Sequence, residues 1–195
     1  MHAVDWSVYQ TLLEARGERP QPRLAYVDGQ LEIMTTSRRH EIIKKMIARL
    51  AETYVDERGG FFNATGQETL KHDKEEAGAE PDEAYFVGPM KAFPDLVIEV
   101  VQTHGGIDKL EIYRRMKVAE VWFWLDGALV VYRLVGERYQ RTNKSAALRG
   151  IDLEQLTRIV GNTEIDQAKA IRDYRAALRQ PTTPRKGSIR KRRRS

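Results

Sequence analysis

The chain has 195 residues, 41% apolar and 31% charged, with a net charge of +5 and no cysteine. That length suits one domain with a substantial core, and the missing cysteines exclude disulfides, zinc–thiolate centres and thiol nucleophiles. No apolar run reaches the roughly 18 residues of a membrane span, and the N-terminus lacks the apolar stretch of a secretory signal, so a cytoplasmic protein is expected.

The charge is uneven. Seven Lys and Arg (Arg185, Lys186, Arg190, Lys191, Arg192, Arg193, Arg194) and no acid fall in the last fourteen residues, which leaves the rest of the chain slightly negative. We expect one domain over residues 1–180 and a basic tail over 181–195 that cannot build a core. Such a tail suits nucleic acid through phosphate contacts, or is a solvated extension with no specific partner.

In chain order, Trp6, Tyr9, Leu12 and Leu13 have helical spacing, and Pro20 and Pro22 end that segment. Residues 23–34 alternate as a hairpin, with Asp28-Gly29 suited to a type I′ turn. Thr36 or Ser37 can cap a helix running to about Arg58, striped by His40, Ile43, Ile47, Leu50 and Tyr54, with Gly59-Gly60 stopping it. Residues 61–70 read as a strand and 71–79 as a polar loop. Strands are expected at 82–87 and 95–102, each opened by a Pro-Asp step, then a short helix over 107–117. The run 121–125 is apolar on both faces, as in a central strand, and Asp126-Gly127 turns it into a second strand ending at Val135. Residues 153–160 and 163–179 read as closing helices. The order describes one mixed α/β domain.

Within the second Pro-Asp strand, Glu99 sits among Val97, Ile98, Val100 and Val101. A buried carboxylate is costly unless paired. If the two strands form an antiparallel hairpin turning near Met90–Lys91, opposed positions have a constant sum and Asp82 falls opposite Glu99, with Cβ atoms roughly 4.5–5.5 Å apart. Two acids so placed repel unless a cation lies between them, the arrangement of a Mg²⁺ or Mn²⁺ site. Glu80, two residues earlier on the same face, is a candidate third ligand. Asp95 lies roughly 13 Å from Glu99 along the strand, too far to share an ion, and is expected to shape the start of that strand. The residues alone fit a structural ion pair for Glu99 equally well. Lys109, in the following helix, is placed to reach back towards Glu99.

The segments "EPDEAYFVG", "PDLVIEVV" and "DKLEIYRRMKVAEVWFWLDG" together resemble the Uma-type restriction endonucleases, a bacterial branch of the PD-(D/E)xK nuclease superfamily. The resemblance covers residues 20 to 160 or so. It implies a restriction-endonuclease-like core, a helix followed by a mixed β-sheet with a crossover helix. It also implies metal-dependent hydrolysis of DNA phosphodiesters, Asp82 as first acid, Glu99 as second and Mg²⁺ or Mn²⁺ between them. The superfamily's lysine stands two residues after the second acid, where this chain has Val101; in the Uma-type branch that role moves to Lys109. Glu41 of the first long helix, with His40 beside it, is the candidate assisting acid. The chain departs from the branch at Gln102–Gly106 and at Lys117-Val118-Ala119-Glu120.

The four histidines, His2, His40, His72 and His104, show no i, i+4 zinc pairing, and no nucleophile elbow or glycine-rich phosphate loop occurs. Trp122 and Trp124 share one face of a central strand and read as core. The reading is a Mg²⁺-dependent DNA endonuclease. Two others stay open: a non-cleaving nucleic-acid-binding or partner-binding protein on a nuclease fold, and a homodimer pairing through an edge strand after Gly136.

Overall fold

The computed structural model describes residues 1–101, 106–162 and 164–180. The basic segment 181–195 and His104 lie outside the described residues.

Local chemistry sets the element ends. Helix α1 (Trp6–Arg16) leads into a hairpin of β1 (Arg23–Val27) and β2 (Gln30–Met34), whose turn residues Asp28 and Gly29 both take positive φ (49° and 72°), as a type I′ turn demands. Helix α2 (Arg38–Arg58) starts at Ser37, whose hydroxyl accepts from the His40 amide at 3.2 Å, and stops at Gly59, whose N–H bonds Val55.

Residues 61–79 differ from the expected strand and loop. They form three short strands, β3 (Phe62–Ala64), β4 (Leu70–His72) and β5 (Ala77–Ala79), with a 3₁₀ turn at Asp73–Glu75. Short segments of this kind draw their pairing from neighbours rather than from their own pattern. After them come β6 (Glu83–Val87), β7 (Leu96–Val100), α3 (Lys109–Arg115), β8 (Glu120–Leu125), β9 (Ala128–Val135), β10 (Arg138–Thr142), α4 (Leu153–Gly161) and α5 (Gln167–Arg179).

The strands divide into two sheets, β2-β1-β5-β4 and β10-β9-β8-β7-β6-β3. The larger is antiparallel except where β7 and β8 run parallel, with α3 as the crossover such a pair requires. Its central strand β7 is buried throughout, and β6 and β8 on either side are mostly buried. One face packs Tyr85, Leu96, Ile98, Trp122 and Trp124 against α2, α4 and α5; the other packs Ala84, Val97 and Val121 against Ile112 and Tyr113 of α3, Met116 at its C-terminal end, and Ala25, Val27, Ala77 and Ala79 of the small sheet. The expected strand after Gly136, β10, is an edge of the larger sheet and carries Arg138 and Arg141.

The Glu-x-Trp start of β8 has a structural cause. The Glu120 carboxylate is buried and accepts from Trp122 Nε1 and Ser145 Oγ, both at 2.6 Å, and from the Ala146 amide, also at 2.6 Å. No cation takes part among these bonds; N–H and O–H donors alone satisfy the charge.

Candidate active site

The hairpin of β6 and β7 has the predicted register. Glu83 pairs with Ile98, Ala84 with Val97 and Tyr85 with Leu96, and one step along stand Asp82 and Glu99. Both acids are 1% exposed. The Val100 amide donates to Asp82 Oδ2 at 2.7 Å, which fixes the first carboxylate over the end of β7.

Each acid meets one cation and one further polar side chain from other elements. Arg23, the first residue of β1, donates from Nη1 to Asp82 Oδ1 at 2.5 Å and is itself only 3% exposed. His40 Nε2 lies 3.1 Å from Asp82 Oδ2. Its other ring nitrogen lies 3.3 Å from Glu41, which pairs in turn with Lys44 at 2.7 Å. The helix cap at Ser37 makes this geometry, because it fixes His40 in the first turn of α2.

On the second acid, Lys109 Nζ sits 2.7 Å from Glu99 Oε2, and the Tyr113 hydroxyl donates to Oε1. Asp108 caps α3 by accepting from the Glu111 amide at 3.1 Å, so Lys109 is the first helical residue and turns back over the strand end. Tyr113, four residues on, comes round to the same face.

Two predicted residues are not brought in. The Glu80 carboxylate faces α1 instead, where it binds Arg16 at 2.5 Å, Thr69 Oγ1 at 2.7 Å and the Leu24 amide at 2.8 Å. A third-ligand role is therefore corrected to a structural one, because a half-buried arginine and two further donors already fill its oxygens. Asp95 accepts from the Val87 amide at 2.9 Å and from Lys91 at 2.5 Å, so it shapes the β6–β7 hairpin.

The electrostatics split the two acids. Burial pushes the Asp82 pKa up, but the His40 hydrogen bond, the Arg23 charge and the Val100 amide outweigh it, and the net shift is downward. For Glu99, complete burial dominates and the nearby Asp82 charge adds to it; Lys109 only partly opposes them, and the pKa rises. Asp82 is thus the committed anion and Glu99 the group that holds a proton more readily. The Tyr113 hydroxyl, buried against Glu99, is held well above its ordinary range.

These groups border a cleft of about 450 Å³, with Arg23, His40, Glu99 and Lys109 on its polar side and Phe123 and Tyr132 on its apolar side. A larger surface hollow of about 1000 Å³ between β9 and α4 holds none of the predicted site residues.

Among the described residues, no group of three or more His, Cys, Asp and Glu forms a metal-binding set. Mg²⁺ nonetheless takes only one or two protein carboxylates in phosphoryl-transfer sites, completing its shell with water and substrate oxygens. Asp82 and Glu99, close enough to shift each other electrostatically, have the donor chemistry that Mg²⁺ or Mn²⁺ needs.

Sequence reasoning missed Arg23 and gave Tyr113 no role. The signal for Arg23 was a lone arginine opening a strand whose five residues are all buried. The signal for Tyr113 was its spacing from Lys109.

None of the curated proteins shows significant similarity to the chain. The crystal structure of a "putative nuclease belonging to DUF820" from Anabaena variabilis ATCC 29413 superposes with a TM-score of 0.54 at 13% identity, over 72% of this chain and 92% of that one. At that identity the likeness concerns the fold. The family model Uma2, described as "Putative restriction endonuclease", matches residues 6–168. With acids, lysine and crossover helix disposed as above, the chain belongs to the Uma2 family, and its fold is restriction-endonuclease-like.

Proposed function

We propose that this protein is a divalent-metal-dependent endonuclease acting on DNA, with Asp82, Glu99 and Lys109 at its centre. The observation that carries the reading is the pair of buried carboxylates from adjacent strands, with a lysine held on one of them although the usual strand position is Val101. A buried charge cluster of this kind, open to a cleft, is costly for a fold and characteristic of a reaction site.

Asp82 and Glu99 would hold Mg²⁺ or Mn²⁺, which when bound acidifies water and offsets charge on the phosphate. Around that group, the chain's own residues have distinct tasks. Asp82 stays ionised because Arg23 and the Val100 amide fix it. Glu99, with its raised pKa, is suited to take up a proton at Oε2, the oxygen that accepts from Lys109. Lys109 is the cation nearest the second acid and neutralises phosphate oxygens as negative charge grows there. His40 and Glu41 extend a hydrogen-bonded chain from Asp82 to the rim of the cleft.

Arg38 and Arg39, exposed at the start of α2 beside His40, supply positive charge for DNA phosphates, and the sequence of segment 181–195, with Arg185, Lys186, Arg190, Lys191, Arg192, Arg193 and Arg194, adds more. A cytoplasmic setting suits such a substrate. No described helix is long and apolar enough to cross a membrane.

Purified protein incubated with plasmid DNA should cleave it with Mg²⁺ or Mn²⁺ and stop with a chelator. Asp82→Asn and Glu99→Gln should each lose at least ~10²-fold. Salt-sensitive binding without cleavage by wild type under any divalent ion would replace this reading with the non-cleaving, nucleic-acid-binding one.

A further inference from the structure

The four charged side chains of the site sum to zero. Asp82 and Glu99 carry the negative charge; Arg23 and Lys109 the positive. The oxygens of Asp82 are unequally committed. Oδ2 accepts from the Val100 amide and faces His40, and both hold it in the protein frame. Oδ1 is the oxygen left for a ligand, and among the described residues Arg23 alone takes it. Arg23 is otherwise poorly anchored: Nη1 reaches the Glu80 carbonyl only at 3.4 Å, Nη2 lies 3.3 Å from His40, and Nε is buried with no partner.

We infer that Arg23 is a resident counter-cation which competes with the divalent ion for Asp82 Oδ1 and so sets how much metal the site needs. The inference rests on the metal reading of Asp82 and Glu99 given above. A cation entering a neutral cluster gains less Coulomb energy than one entering a doubly negative one, and a guanidinium at the ligand oxygen adds repulsion at short range. While metal is absent, Arg23 spares Asp82 the cost of a buried, unpaired charge. Arg23 is thus a positioning residue: it acts through Asp82, whose Oδ1 its guanidinium vacates when the metal binds.

The test is metal affinity, with no substrate present. Free Mn²⁺ is titrated by its electron-spin resonance signal against wild type, Arg23→Met and Arg23→Lys, after circular dichroism confirms that each is folded. Arg23→Met should bind Mn²⁺ at least tenfold more tightly than wild type, and Arg23→Lys, which keeps a cation beside Asp82, should stay within about threefold of it. Equal or weaker binding by folded Arg23→Met overturns the competition. Binding to none of the three proteins at millimolar Mn²⁺ overturns the metal reading as well.

Should Arg23→Met not fold, wild type decides the question. In ¹⁵N-labelled protein the Arg23 side-chain resonances, assigned by comparison with Arg23→Lys, should shift as Mg²⁺ is added and Asp82 Oδ1 changes partner. If Mg²⁺ perturbs the Val100 amide, showing that it binds at the site, while Arg23 stays unmoved, the competition is overturned and the metal site stands.

Discussion

Lys109→Met isolates the physics of the second acid. Glu99 is 1% exposed, and its charge is met by Lys109 at 2.7 Å and by the Tyr113 hydroxyl. Removing one partner of a buried ion pair costs about 3–5 kcal/mol when the other must stay charged. Glu99 has a cheaper course, because burial already pushes its pKa up: it takes a proton. For a carboxyl with an ordinary pKa near 4.3 in the unfolded chain, that proton costs about 4 kcal/mol at pH 7 and about 1 kcal/mol at pH 5.

The sign follows from proton counts. The folded variant binds one proton more than the unfolded chain, so its stability is greatest below the unfolded pKa and falls by about 1.4 kcal/mol per pH unit above it, for as long as Glu99 stays protonated. Urea melts at pH 5, 6 and 7 should therefore show Lys109→Met losing up to about 3 kcal/mol more, relative to wild type, at pH 7 than at pH 5. In the double variant with Glu99→Gln that added slope should vanish, since glutamine does not titrate. A loss equal at all three pH values, or a double variant with the slope intact, would refute the account of Glu99 as a proton-accepting acid held charged by Lys109.

Other expectations follow from separate parts of the fold. Glu83, buried beside Asp82 in the sequence but on the opposite face, is pushed up to about 7 by burial, which the lysines of α2 only partly oppose. Its raised pKa makes folding favourable below the unfolded value and less so as pH rises to 7, so Glu83→Gln should remove about 2 kcal/mol of pH dependence between pH 5 and 8, read by urea melts and discounted for the water that still reaches the group. Glu120→Ala should cost about 3 kcal/mol or more by stranding Trp122 Nε1, Ser145 and the Ala146 amide, with cleavage per folded molecule unchanged, as measured by melting and by activity normalised to folded protein. Removing residues 181–195 should leave the melting temperature within about 1 °C while lowering DNA affinity and flattening its salt dependence, checked by anisotropy titrations at several salt concentrations. Lys109→Ala should lower cleavage about 10²-fold once assayed at a pH where the variant remains folded.

The sequence by itself determined what short-range chemistry controls. Asp28-Gly29 and Asp126-Gly127 turn where they must because glycine and aspartate tolerate positive φ; Ser37 caps α2, and the apolar stripe of that helix faces the larger sheet. The Asp82–Glu99 pairing was legible for a related reason: two consecutive antiparallel strands have one register that buries their apolar residues, and the register fixes which residues oppose. Lys109 was within reach because Asp108 caps a helix only a few residues beyond the strand.

Only the tertiary structure decided which charges meet across long stretches of chain. Arg23 lies 59 positions from Asp82, and Arg16 lies 64 from Glu80. No local pattern distinguishes the arginine that neutralises a reaction-site acid from the one that draws a neighbouring acid away to α1. The same holds for residues 61–79, whose three-residue strands are divided between two sheets. Their own propensities are too weak to choose a partner, and packing against β1 and β6 chooses for them. A buried carboxylate announces in the sequence that something must pair with it, and the identity of that partner is settled only when the distant elements close around it.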